Sequence, residues 1–117
     1  MRLSALSALA EAAEARAIYI SPWSAWEIAM LAAKRRLVLA MAPAPFFEGL
    51  SSRAGTALAP LTPSILINAH FLPGTPPSDP SDRIIAATAR EYGHTLVTRD
   101  RALLDYAAAG HINAIEC

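Results

Sequence analysis

The alternation of short β-rich runs with helical segments is the feature that most constrains this fold. Four such runs lie along the chain, at Ala17–Ser21, Ala57–Leu61, Thr95–Thr98 and Ile112–Glu116. Strands that are separated by helices need crossover connections, which favours a mostly parallel sheet covered by helices on both faces. The sequence therefore predicts an α/β fold, with its chemistry beyond the carboxyl ends of the strands.

Three dipeptides mark helix starts, because each places a capping side chain before a proline at the first helical position. They are Ser21-Pro22, Thr62-Pro63 and Asp79-Pro80. Glycines after apolar segments indicate where helices end. The helices expected on this basis are Leu3–Arg16, Trp23–Arg36, Pro45–Arg53, Ser64–Phe71, Asp82–Tyr92 and Arg101–Ala109.

Length and composition narrow the class of protein. A chain of 117 residues with 54% hydrophobic residues fits a single domain over residues 1–117 with a real core. The net charge is zero, so any contact with nucleic acid must be local. The single cysteine, Cys117, excludes a disulfide scaffold and indicates a reducing, cytoplasmic setting. No apolar run reaches 18 residues, so no membrane span is expected.

Glu27 lies within an apolar helical stripe. At about 100° per residue, Trp23, Met30 and Leu31 surround it on one side of the expected helix. A carboxylate is costly in such a place unless another group compensates its charge. Either a buried ion pair, for example with Lys34, or a bound metal ion would do so.

Asp82 and Asp100 each have both a structural and a functional interpretation. Asp82 lies in the first turn of its helix, where the helix dipole favours an anion. Asp100 follows the Thr95–Thr98 run after a single residue and can cap the next helix. Asp79, in the same segment as Asp82, is better placed as an N-cap and is predicted to be structural.

Taken together, Glu27, Asp82 and Asp100 predict a metal site. Each lies just past a strand end or near a helix start, so a parallel sheet could bring them to one edge. Clustered carboxylates stay ionised only with a cation between them, and all-oxygen sites suit Mg²⁺ or Mn²⁺. Such ions activate water and neutralise a phosphoryl group in phosphodiester cleavage.

Other signals are weaker. The sequence has no G-x-G-x-x-G, Walker A or G-x-S-x-G motif, which disfavours a nucleotide-binding Rossmann-like domain and a serine hydrolase. Trp23 and Trp26 are interpreted as core residues rather than as a base-stacking platform. The basic run 34–36 is interpreted as a solvated helix end, although it could contact a phosphate backbone.

Three segments, ISPWSAWEIAMLAAKRRL, LPG…DPSDRIIAATAREYG and TLVTRDRALLDYAAAGHINAIEC, resemble a PIN domain of the VapC type. The resemblance covers nearly the whole chain from about Leu3. It implies a three-layer α/β/α fold and a cytoplasmic, Mg²⁺-dependent (or Mn²⁺-dependent) endoribonuclease toxin, usually a homodimer that a cognate antitoxin inhibits. The acids of the family, which bind the metal and act in catalysis, fall on Glu27, Asp82 and Asp100.

The sequence also departs from that family. The family begins with a central strand that ends in a metal-ligating Asp, and nothing precedes the Leu3–Arg16 helix here. We therefore expect a PIN-like domain that lacks its first strand, and weak activity because one acid is missing. The alternative is a catalytically inactive PIN scaffold that only dimerises or binds an antitoxin.

Overall fold

The computed structural model describes residues 2–117, which form an α/β structure as the alternation predicts. Along the chain the helices and strands are α1 (Leu3–Glu14), β1 (Ile18–Ile20), α2 (Trp23–Ala33), α3 (Pro43–Ser51), β2 (Thr56–Leu58), α4 (Pro63–Asn68), α5 (Pro80–Tyr92), β3 (Thr95–Thr98), α6 (Arg101–Ala108) and β4 (Asn113–Glu116). Within the described residues, no helix is long and apolar enough to cross a membrane.

The strands are parallel, as expected, but within residues 2–117 they form two separate pairs instead of one sheet. β1 pairs with β2, with Ile18 opposite Thr56 and Ile20 opposite Leu58. β3 pairs with β4 in a register from Thr95–Asn113 to Thr98–Glu116. Each pair joins strands that are consecutive along the chain, and such local pairing has the lower entropic cost of loop closure.

The chain divides into two compact units. The C-terminal unit comprises the described part of Met1–Ala10 together with Leu61–Cys117, and the N-terminal unit comprises Glu11–Pro60. The C-terminal unit therefore contains β3 and β4, and the N-terminal unit contains β1 and β2.

The C-terminal unit has a well-buried core in two clusters that share the half-buried Leu72. Helix α5 contributes buried residues to both clusters, since Ala86 belongs to one and Ala87 to the other. These small side chains allow neighbouring elements to approach α5 closely. The buried members are Ala86, Leu103, Tyr106 and Ile112 in one cluster and Ile65, Ala69 and Ala87 in the other.

The N-terminal unit is packed more loosely. None of the residues of α2 and α3 is buried. Within residues 11–60 the exception is Ala59, directly after β2, which is 2% exposed. Gly55 precedes β2 with a φ of 83°, and a Cβ there would lie 2.6 Å from the carbonyl oxygen of Ala13. This position therefore requires glycine, which lets the chain pass beside the end of α1 and enter the β1–β2 pair.

The capping predictions are confirmed at three helices. Thr62 accepts a hydrogen bond from Ile65 N at 3.3 Å, and Asp79 accepts one from Ser81 N at 2.8 Å. Asp100 caps α6 in the same way. The fourth start differs by one position, because α2 begins at Trp23 with Pro22 as its N-cap residue.

Candidate functional site

Glu27 lies on α2, half-buried, in the N-terminal unit. A tight turn between β1 and α2 determines where the helix that carries Glu27 begins. The Ser21 hydroxyl accepts a hydrogen bond from Trp23 N at 3.2 Å, and the Ser21 carbonyl accepts one from Ser24 N at 3.0 Å. This turn starts the helix directly after β1, so Glu27 lies in its second turn.

The two tryptophans that precede Glu27 stack on each other. Their ring centroids are 5.1 Å apart and the planes are inclined by 16°. Trp23 is half-buried, whereas 54% of Trp26 is exposed. The interpretation of this pair as core residues is therefore wrong for Trp26, because more than half of its surface is exposed although its indole stacks on Trp23.

Asp82 lies in the C-terminal unit, in the first turn of α5, and is half-buried. The N-cap position belongs to Asp79, as predicted, whose Oδ1 accepts the hydrogen bond from Ser81 N. Asp79 thus accepts a hydrogen bond from a backbone N–H at the start of α5, and it is exposed. Asp82 lies within the first turn of the same helix. The two acids of this segment have different surroundings, and the hydrogen bond of Asp79 explains its structural role as the N-cap.

Asp100 lies in the same unit, at the carboxyl end of β3. Its backbone N–H donates to Thr98 Oγ1 at 3.0 Å, and its Oδ1 accepts from Leu103 N at 3.0 Å. The N-cap interpretation is therefore confirmed. A carboxylate that caps through Oδ1 still presents lone pairs on Oδ2, so this role is compatible with binding a cation.

The structure thus places Asp82 and Asp100 in the C-terminal unit and Glu27 in the N-terminal unit. Within neither unit, as far as residues 2–117 describe it, do three or more His, Cys, Asp or Glu side chains form a group that could hold a metal ion. The donor chemistry of the three acids, carboxylate oxygens alone, fits Mg²⁺ or Mn²⁺. Their convergence on one ion stays a prediction.

A contact that the sequence did not predict connects α6 with the loop before α5. Tyr106 on α6 is 2% exposed, and its hydroxyl donates to the carbonyl oxygen of Pro73 at 2.6 Å. Pro73 lies in the loop that leads to Asp79 and Asp82, whereas Tyr106 lies on the helix that Asp100 caps. The contact therefore ties the chain before one acid to the helix of the other.

Two further residues close this loop against the end of α6. The His111 ring lies 4.9 Å from the Tyr106 ring, and Arg90 Nη1 donates to the His111 carbonyl oxygen at 2.5 Å. Gly74 has a φ of 69°, and a Cβ at this position would collide with the His111 imidazole. The Pro73-Gly74 pair predicts a turn in the sequence, but its partners are distant along the chain and cannot be found from that signal.

Burial raises the pKa of Tyr106, and the nearby guanidinium groups of Arg90 and Arg83 partly oppose this shift. The neutral phenol is therefore the form that the fold favours, which keeps the hydroxyl proton available for the Pro73 carbonyl oxygen.

A cavity of about 280 Å³ lies in the C-terminal unit beside α4 and α5, and Pro73 contributes to its lining. Asn68, Phe71, Leu72, Arg90 and Glu91 contribute to its lining. Since its described lining includes none of the three candidate acids, the cavity is separate from the predicted chemistry.

Comparisons with known proteins agree with the sequence motifs. A family model described as the PIN domain matches residues 3–109. Ribonuclease VapC22 of Mycobacterium tuberculosis (strain ATCC 25618 / H37Rv) is 40% identical over 103 residues, which amount to 87% of this chain and 76% of the relative. No solved structure matches the chain.

Proposed function

Because this chain belongs to the PIN domain family and is of the VapC type, we propose that it is a Mg²⁺- or Mn²⁺-dependent endoribonuclease. In this proposal it acts in the cytoplasm as the toxin of a type II toxin–antitoxin pair. The observation that carries the proposal is the 40% identity to a named ribonuclease over 87% of the chain.

The proposed ligands and catalytic residues are Glu27, Asp82 and Asp100. A bound divalent ion would supply an activated water and neutralise charge on the scissile phosphate. The hydrogen bond from Leu103 N holds the Asp100 carboxylate in one orientation, and the first turn of α5 fixes Asp82. The hydrogen bond between Tyr106 and Pro73 supports this arrangement by restraining the loop before α5.

The partners in this proposal are an RNA substrate, a cognate antitoxin and a second copy of the chain. A net charge of zero gives no long-range attraction for RNA, so substrate contacts must come from local groups beside the acids. We expect weak cleavage from a site of three carboxylates, because three bind Mg²⁺ less tightly than four.

Cleavage of a structured RNA in millimolar Mn²⁺, compared with EDTA, tests the proposal. We expect metal-dependent cleavage, and a loss of roughly tenfold or more in Glu27→Gln, Asp82→Asn and Asp100→Asn. Asn is as good an N-cap as Asp, so Asp100→Asn removes the charge and keeps the start of α6. Asp79→Asn is the matched control: it preserves its cap and should cleave at the unsubstituted rate.

Two results would contradict this proposal. Cleavage that is equally fast in EDTA would exclude the metal, and full activity in Asp82→Asn would remove Asp82 from the site. A folded chain that binds an antitoxin and cleaves no RNA at any Mn²⁺ concentration would support the alternative, a catalytically inactive scaffold.

A further inference from the structure

Burial in the N-terminal unit does not account for the exposed indole of Trp26. Large aromatic side chains stabilise a fold when they are buried, yet 54% of Trp26 is exposed. Its ring is held against Trp23, with centroids 5.1 Å apart. Stacking fixes the orientation of the indole without burying it, which is the arrangement that a binding platform requires.

The position of Trp26 indicates what could bind there. It immediately precedes Glu27, and a run of cations follows the end of its helix. Lys34, Arg35 and Arg36 follow the last residue of α2 and are all exposed. At 1.5 Å per residue, the helix separates Trp26 from Lys34 by about 12 Å along its axis, a distance that a few nucleotides of one strand cover.

We propose that the Trp23–Trp26 pair is a stacking platform for one unpaired RNA base, and that Lys34, Arg35 and Arg36 contact the phosphates of the neighbouring nucleotides. The inference rests on the proposed ribonuclease function and specifies the form of its substrate. Stacking on an aromatic face requires a base that is free of a partner strand, so the site selects single-stranded RNA.

Charge favours RNA over a protein as the occupant. The whole chain is neutral, yet three cations follow one another directly after the helix that carries the exposed Trp26. Phosphates complement the cations and a base complements the indole, so a single ligand uses both features.

Intrinsic fluorescence gives a direct test, because the chain has two tryptophans and both belong to the platform. The titration uses a single-stranded oligouridine in EDTA, which stops metal-dependent cleavage, and anisotropy of labelled RNA measures binding independently. We expect quenching that saturates with the anisotropy signal. Trp26→Leu should bind about tenfold more weakly, whereas Trp26→Phe should retain most of the affinity since it keeps a stacking face.

Control variants separate stacking from general effects. Phe71, which is 78% exposed in the C-terminal unit, provides a matched aromatic substitution, and Phe71→Leu should leave RNA affinity unchanged. Replacing Arg36 by Gln should reduce the salt dependence of binding by about 0.7 in the log–log slope, as expected for one lost phosphate contact to a single strand.

Several outcomes would overturn the inference. RNA that binds by anisotropy without quenching, and with equal affinity in Trp26→Leu, would exclude the platform and leave the proposed ribonuclease intact. The absence of RNA binding would also exclude it. If Trp26→Leu instead abolishes self-association in sedimentation and leaves RNA affinity unchanged, the ring belongs to a protein interface. Normal quenching without any cleavage in Mn²⁺ would contradict the ribonuclease alone.

Discussion

The two units of this chain differ in how their candidate functional residues are supported. In the C-terminal unit, α5 and α6 bury residues in the core, among them Ala86 and Leu103, and a buried tyrosine fastens the loop between α4 and α5. In the N-terminal unit, α2 and α3 bury no residue, and each strand is three residues long.

This difference separates the three candidate acids. Asp82 and Asp100 lie on helices that the core holds in place, whereas the turn at Ser21 and half-buried packing position Glu27. Regions with few buried apolar groups open at a lower free energy than well-packed ones. We therefore expect the Glu27 helix to be the more easily deformed part of the proposed site.

Substitution of one leucine in each unit should produce the largest difference in the free energy of unfolding. Leu103 on α6 is 3% exposed, and Leu103→Ala should lower the free energy of unfolding by about 3 kcal/mol. Leu31 on α2 is only half-buried, so the same substitution there should cost about 1 kcal/mol. Urea denaturation measures both values, and equal losses of unfolding free energy would show that the two units are equally well packed around these leucines.

Removal of a single tyrosine hydroxyl tests the contribution of side-chain hydrogen bonding to the stability of each unit. Tyr106→Phe removes the donor to the Pro73 carbonyl oxygen from a buried ring, which should cost about 1 kcal/mol and speed amide exchange in residues 74–79. Tyr19 on β1 is 47% exposed, so Tyr19→Phe should lower the free energy of unfolding by less than Tyr106→Phe does. Unchanged exchange in the Tyr106 variant would show that the loop does not depend on this contact.

The smallest effect concerns alkaline pH. Since the folded state raises the pKa of Tyr106, the neutral phenol contributes stability that is fully present below the ordinary value of about 10. This contribution is lost as the pH rises through the raised pKa. Absorbance at 295 nm should follow a phenol titration step above pH 10 that is absent in Tyr106→Phe. A step at the ordinary value of about 10 that disappears in Tyr106→Phe would instead place Tyr106 in a solvated environment.

Local signals in the sequence predicted much of the fold. Thr62, Asp79 and Asp100 act as caps because a capping side chain and the amide that it accepts from lie within three residues. The parallel direction of the strands also follows from the helices between them. The N-cap residue of α2 was wrong by one position, since it is Pro22 and not Ser21, which is the usual precision of a helix boundary.

Contacts between distant parts of the chain could not be predicted in this way. A short stretch of sequence does not show which strands pair, because pairing depends on packing against distant residues. The sequence therefore predicted one sheet, whereas the described residues form the two pairs β1–β2 and β3–β4. The Tyr106–Pro73 hydrogen bond joins residues 33 positions apart. Trp26 shows the same limit, since helical periodicity places it beside apolar neighbours without showing that it is exposed.

Binding of Mn²⁺ tests the central claim most directly, because it asks whether the three acids share one ion without requiring catalysis. Electron paramagnetic resonance of free Mn²⁺ gives the stoichiometry and the affinity. We predict one ion per chain, and affinities roughly tenfold or more weaker in Glu27→Gln, Asp82→Asn and Asp100→Asn, with Asp79→Asn unchanged. An affinity in Glu27→Gln equal to that of the unsubstituted chain would contradict the account.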